Sequence, residues 1–122
     1  MSFVGFTEQE IDTIVLKKYE KGRDFSRAVD SLIIDSNVTR FWLSNDTLRI
    51  AATISTTNLL SSFNYRISIP STNSIYTITD LYEPQQEGRA STRKIMCGNS
   101  IQSCKINGAA TQLRFDLLYL KK

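Results

Sequence analysis

Beyond Asp30 the chain alternates apolar and polar residues with a period of two, the pattern of strands that bury one face. Leu48, Ile50, Ala52 and Ile54 alternate with Arg49, Ala51 and Thr53. Phe63, Tyr65, Ile67 and Ile69 alternate with Asn64, Arg66 and Ser68, and the run stops at Pro70. Residues 74–82, SIYTITDLY, form a further run. Ahead of these, SLIID and VTRFWL are parted by Ser36-Asn37, and Ser44-Asn45-Asp46 supplies the next turn. Strands joined by turns this short predict a meander.

Before Asp30 the pattern predicts a helix. Thr7-x-x-Glu10 is a capping box, and Phe6 and Ile11 stand at the two positions of a hydrophobic staple around it. Ile11, Ile14, Val15 and Tyr19 recur at helical spacing, with Lys17, Lys18 and Glu20 on the other side. Gly22 either ends this helix or interrupts it, since Phe25, Ala28 and Val29 continue the stripe. One helix, or a helix and a short successor, is expected over residues 7–29.

Residues 83–92, EPQQEGRAST, are polar and unpatterned and read as a long loop. Two hairpin turns follow, Gly98-Asn99 and Asn107-Gly108, the second being the stronger signal. The last run places Leu113, Phe115, Leu117 and Tyr119 on one face, with Leu118 and Leu120 opposite, so its end is expected to be covered on both sides. The fold expected is α+β: an N-terminal helix packed on a curved antiparallel sheet, a meander plus C-terminal hairpins. Residues 1–122 form a single domain, helical over 7–29 and β-rich over 30–122. Such a sheet leaves edges, and pairing of Phe63–Ile69 or Thr111–Leu120 with another copy makes a homo-oligomer the expectation.

The 122 residues are long enough to bury one core, with 41% hydrophobic and 22% charged residues, ordinary globular usage. The start MSFVGFTEQE has no basic region or apolar run of a secretory signal, and no stretch approaches the ~18 apolar residues of a membrane span. Asn37-Val38-Thr39 and Asn45-Asp46-Thr47 therefore read as turns rather than glycosylation sites, and a cytoplasmic protein without membrane contact is expected.

The absence of histidine narrows the chemistry. Serine–histidine and cysteine–histidine catalysis are excluded, as is a histidine-bearing zinc site. Cys97 and Cys104, seven residues apart, form neither a CxxC pair nor a disulfide framework and read as reduced thiols. Asp80, Glu83 and Glu87 stand at a strand end and in a loop, where nothing raises a carboxyl pKa for acid–base work. No glycine-rich phosphate loop is present. The expectation is a protein that is not an enzyme and has no metal or cofactor.

The net charge of +3 is unevenly spread. Residues 1–37 hold five basic and seven acidic side chains, residues 38–92 four of each, and residues 93–122 six basic against Asp116 alone. The skew points to an anionic partner near the C-terminal region, with Arg89, Arg93, Lys94, Lys105 and Arg114 as candidate phosphate contacts. Solvated hairpin edges that carry lysine against aggregation are the competing reading. Adjacent strand residues face opposite ways, so one ring of Phe41-Trp42 is expected to enter the core and the other to lie against the helix or at a surface. An exposed Trp42 beside Arg40 would make a stacking platform for a base or an anchor at a protein interface.

The order KYEKGRDFSRAVDSLIID … DTLRIAATI … FNYRISI, through Gly22, Phe25, Val29 and Tyr65, resembles the region that leads into SWIM zinc-finger domains. The resemblance implies a glycine-containing helix end, a short meander and an association with nucleic-acid transactions. The family's CxC and CxH ligand pairs are missing: Ser74–Asp80 contains no cysteine and the chain no histidine, so metal binding does not carry over. Two functions are expected from the sequence. The first is a non-enzymatic binding module for an anionic ligand, nucleic acid or a nucleotide-like molecule. The second is a small protein-binding inhibitor, adaptor or assembly subunit of the kind encoded by viruses or mobile elements.

Overall fold

A computed structural model describes residues 1–22, 24–35, 37–50, 60–82, 103–113 and 118–122. The candidates Arg89, Arg93, Lys94 and Arg114, together with Cys97, the Gly98-Asn99 turn and the 83–92 loop, lie outside these residues.

Among the described residues there are ten strands: β1 (Ser2–Val4), β2 (Ile14–Glu20), β3 (Asp30–Ile34), β4 (Arg40–Ser44), β5 (Thr47–Ile50), β6 (Phe63–Ile69), β7 (Ser74–Tyr82), β8 (Ser103–Ile106), β9 (Ala109–Gln112) and β10 (Tyr119–Lys121). They make two sheets. Sheet A has the order β10-β1-β5-β4, and sheet B the order β3-β2-β6-β7-β8-β9. One hydrophobic core joins them. Phe3, Leu48, Ile50, Leu118 and Leu120 come from sheet A and its approach, and Ile14, Leu16, Tyr65, Ile67, Ile69 and Ile78 from sheet B.

The expected α+β architecture is therefore wrong, because the N-terminal helix does not form. The capping box itself does. Thr7 N donates to Glu10 Oε2 at 2.9 Å, and Glu10 N donates to Thr7 Oγ1 at 3.2 Å. Phe6 and Ile11 are buried as a staple requires, and Ile11 N reaches Thr7 O at 3.3 Å. One turn is made and nothing propagates it; from Ile14 the chain is strand. A first helical turn is costly to nucleate and must be extended to be stable, while Ile14 and Val15 are β-branched and stiff at χ1. As β2, the same residues gain backbone ladders on both sides, with β3 and β6. Leu16 separates the two patterns: it falls off the helical stripe, yet it is buried beside Ile14 at strand spacing.

The meander is also incomplete. β6 lies inside sheet B between β2 and β7, so the expected pairing of Phe63–Ile69 with another copy has no free edge to use. At β10 the expected cover on both sides is found on one only: Leu120 and, just ahead of the strand, Leu118 are buried, while Tyr119 is 42% exposed. β10 runs parallel to β1, with Phe3 beside Leu120, and this pairing seats both leucines in the core. Other signals hold. Asn107 (φ 50°) and Gly108 (φ 83°) take left-handed conformations between β8 and β9, as a two-residue hairpin requires. Asn107 Oδ1 also accepts a hydrogen bond from Thr77 N at 2.8 Å, fixing the turn to β7. Among the described residues no helix is long and apolar enough to cross a membrane.

Candidate nucleic-acid interface

In both sheets the alternation that fills the core sets a second row of side chains on the far side. On sheet A the pairing aligns Phe41 of β4, Arg49 of β5, Ser2 of β1 and Tyr119 of β10 in one line across four strands. The parallel line behind it holds Ser44, Thr47, Val4 and Lys121. Phe41 and Tyr119 are each 42% exposed. The Arg49 guanidinium stands 6.0 Å from the Phe41 ring centroid. Ser2 is fully buried in the middle, and its Oγ has no hydrogen-bond partner. A buried hydroxyl without a partner costs on the order of 1–3 kcal/mol.

No described carboxylate stands in either line. Asp46, in the turn that joins β4 to β5, accepts hydrogen bonds from Ser44 Oγ at 2.8 Å and Thr47 Oγ1 at 3.0 Å. These hold its carboxyl below the ordinary aspartate value, the Ser44 bond contributing most. Arg49 and Lys121 thus share a surface with two aromatic rings and no facing counter-charge among the described residues.

The far side of sheet B is built differently. Lys17 lies opposite Arg66, a like-charge pair that costs stability unless something else engages it. The structure engages it internally. After β2 the chain turns at Gly22 (φ 84°), and Phe25 folds back edge-on to Tyr19, with centroids 4.8 Å apart. The Arg66 guanidinium lies 4.8 Å from the Phe25 centroid and 5.7 Å from that of Tyr19. Val29 N closes this excursion on Lys18 O at 2.7 Å. Beside it lies a cavity of about 490 Å³ lined by Glu20, Asp24, Ser26, Arg27, Ala28 and Val29, of mixed charge.

The three described candidates from the sequence are not brought together. Lys105 forms an ion pair with Asp80 at 2.9 Å on the sheet B side, which lowers the Asp80 pKa. Arg40 points to the core side, where its Nη atoms donate to Val38 O, Ile11 O, Asp12 O and Asp35 O at 2.8–3.1 Å. These carbonyls flank the start of β2 and the end of β3, so Arg40 fastens the edge of sheet A to the edge of sheet B. Trp42 is 49% exposed but lies opposite Leu48, on the other side of the edge strand from Phe41, so neither ring enters the core, contrary to expectation. Sequence reasoning missed Arg49, Tyr119 and Lys121. The position of Arg49 between Leu48 and Ile50 already carried the signal for an outward-facing cation.

Cys104 is a buried free thiol whose pKa is raised by desolvation. Among the described residues no three carboxylate or thiol side chains stand together to hold a metal ion. Compared with family models, with curated proteins and with solved structures, the chain matches none.

Proposed function

We propose that this protein is a non-enzymatic binding module for an anionic ligand that carries planar rings, a nucleic acid or a nucleotide-like molecule. Its site is the outer face of sheet A. The reading is carried by one observation: Phe41, Arg49 and Tyr119 stand in register on a face without a described carboxylate, with Lys121 in the adjoining line. Rings stack on exposed aromatics, and guanidinium and ammonium groups neutralise phosphates. The basic C-terminal region contributes through Lys121.

The test is a fluorescence-anisotropy titration of a labelled mixed-sequence oligonucleotide at rising salt. Binding is expected at low salt and weakens as salt rises, with a log–log slope of about −0.7 for each phosphate neutralised on a single strand. Binding that is unmeasurable at low salt overturns the reading.

A second reading is a protein-binding inhibitor, adaptor or assembly subunit. It is favoured by Phe41, Trp42 and Leu43, three consecutive exposed apolar residues on β4, which has a described neighbour on one side only. A stoichiometric protein partner that survives nuclease and high salt would favour this reading over the first.

A further inference from the structure

We propose, resting on the reading above, that the ligand is specifically a single strand of nucleic acid laid across the strands of sheet A. One base stacks on Phe41, a second on Tyr119, and the intervening backbone crosses Arg49. Phe41 and Tyr119 are register partners at the two outer strands of a four-stranded sheet, three strand spacings apart. At roughly 4.8 Å per spacing that separation is about 14 Å.

Stacked bases rise about 3.4 Å apiece along one strand. A mononucleotide can occupy one aromatic only, and a stacked dinucleotide cannot bridge both. An extended run of about three or more nucleotides spans the distance, and its phosphates then cross the middle of the row, where Arg49 lies. Duplexes are disfavoured because their base faces are already stacked on one another and cannot meet a side-chain ring. On sheet B the comparable ring, Tyr19, already carries Phe25, so no base has access to it.

The experiment measures affinity for labelled oligothymidylates of one, two, four and eight nucleotides, for an oligouridylate of four, and for an eight-base-pair duplex, at low salt. Wild type is compared with Phe41→Ala and Tyr119→Ala, and each variant is checked for folding by urea titration followed through Trp42 fluorescence. A steep gain in affinity is expected between two and four nucleotides, with the duplex at least about tenfold weaker than the four-nucleotide strand. Each alanine should weaken the four-nucleotide complex by about five- to a hundredfold, the range measured for loss of one base–aromatic stack. Equal affinity for one and four nucleotides, a duplex bound as tightly as a single strand, or folded alanine variants that bind like wild type would each overturn the inference and leave the anion-binding module standing. No binding of any oligonucleotide would remove both. The oligouridylate tells RNA from DNA, and equal binding supports recognition through phosphate and ring.

Discussion

The two outer faces of this molecule contain similar side chains in opposite states. On sheet B the guanidinium of Arg66 is held over Phe25 and Tyr19, and Lys105 is paired with Asp80. On sheet A, Arg49 and Lys121 face outward beside the exposed rings of Phe41 and Tyr119 with no described carboxylate in their lines. Counting cations does not distinguish them. What distinguishes them is how far the fold has already engaged each cation. On sheet A a ligand meets only the 6.0 Å contact of Arg49 with the exposed ring of Phe41, whereas on sheet B it must displace Phe25 or Asp80.

The largest effect expected tests this at Arg40, whose Nη atoms are committed to four backbone carbonyls. Arg40→Ala removes donors from the carbonyls of Ile11, Asp12, Asp35 and Val38 and unfastens the two sheets. Hydrogen bonds to a charged group contribute about 1.5–3 kcal/mol each in net terms, and water will replace some of those lost. A loss of about 3 kcal/mol in urea unfolding is expected, with oligonucleotide affinity of the folded fraction unchanged. If Arg40→Ala keeps its stability and loses binding, the distinction between committed and free cations fails.

Next in size is a charge reversal made on each face in turn. Arg49→Glu should lower oligonucleotide affinity by more than about tenfold and flatten the salt dependence, because a cation is lost and a carboxylate gained along the phosphate path. Lys17→Glu, in the middle of sheet B, should leave affinity within about twofold. It should also stabilise the fold slightly by turning the Lys17–Arg66 opposition into an attractive pair. Similar losses from both reversals would mean that binding follows the net charge of the whole molecule and not one face.

Much of this was legible from the sequence because alternation is local. Period two marked β5 and β6, turn residues set off β3 and β4, Pro70 marked the end of β6, and Asn107-Gly108 marked the turn between β8 and β9. The same rule sends Arg49 outward between Leu48 and Ile50. The failures came where two local patterns fit equally well or where distance mattered. Residues 7–20 satisfy a capping box and a strand alternation together, and the pairing of β2 between β3 and β6 decided for the strand. Tyr119 lies in a sequence whose two faces are both apolar, so its direction was fixed by the parallel contact with β1, more than a hundred residues away. Arg40 read as a ligand contact because nothing near it in sequence reveals the carbonyls of Ile11 and Asp12. The row of Phe41, Arg49, Ser2 and Tyr119 was invisible for the same reason: it exists only once β1, β4, β5 and β10 are neighbours.

A smaller effect separates the faces through Phe25. Phe25→Ala uncovers Tyr19 and strips Arg66 of its closer ring. An aromatic pair contributes about 0.5–1.5 kcal/mol beyond area burial, and a partly exposed cation–π contact about 0.5–1 kcal/mol. A destabilisation of about 1–2 kcal/mol in urea is expected. The informative readout is binding, since a bared Tyr19 next to a freed Arg66 and Lys17 reproduces on sheet B the ring-and-cation arrangement of sheet A. Oligonucleotide affinity should rise, or a weak second site should appear. A variant that loses stability without any gain in binding would show that uncovering a ring and a cation does not suffice, and that the spacing along sheet A matters.

The smallest effect is that of pH, and its sign follows from which groups titrate. Asp80 has a lowered pKa chiefly through its hydrogen bond with Lys105, and Glu10 a lowered pKa chiefly through its bond with Lys122. A carboxylate whose folded pKa lies below its unfolded value stabilises the fold at pH above the unfolded value, about 3.9 for Asp and 4.3 for Glu. That contribution is lost as pH falls through this region toward the folded value. Both groups are solvent-exposed, so the loss is small, and it should be seen as a slight drop in melting temperature below about pH 4.5. Lys105→Ala should remove the part that belongs to sheet B. The lines on sheet A contain no described carboxylate and the chain has no histidine, but the Met1 α-amino group next to Ser2 titrates beside this row, its pKa held below the ordinary value of about 8 by burial and, second, by the charge of Arg49. Oligonucleotide affinity should therefore weaken slightly as pH rises toward 8 and this ammonium loses its charge beside Arg49, while stability falls only below about pH 4.5. A binding midpoint that survives acetylation of the Met1 amine would place another titrating group in the ligand's path, and so place the site away from the row through Arg49.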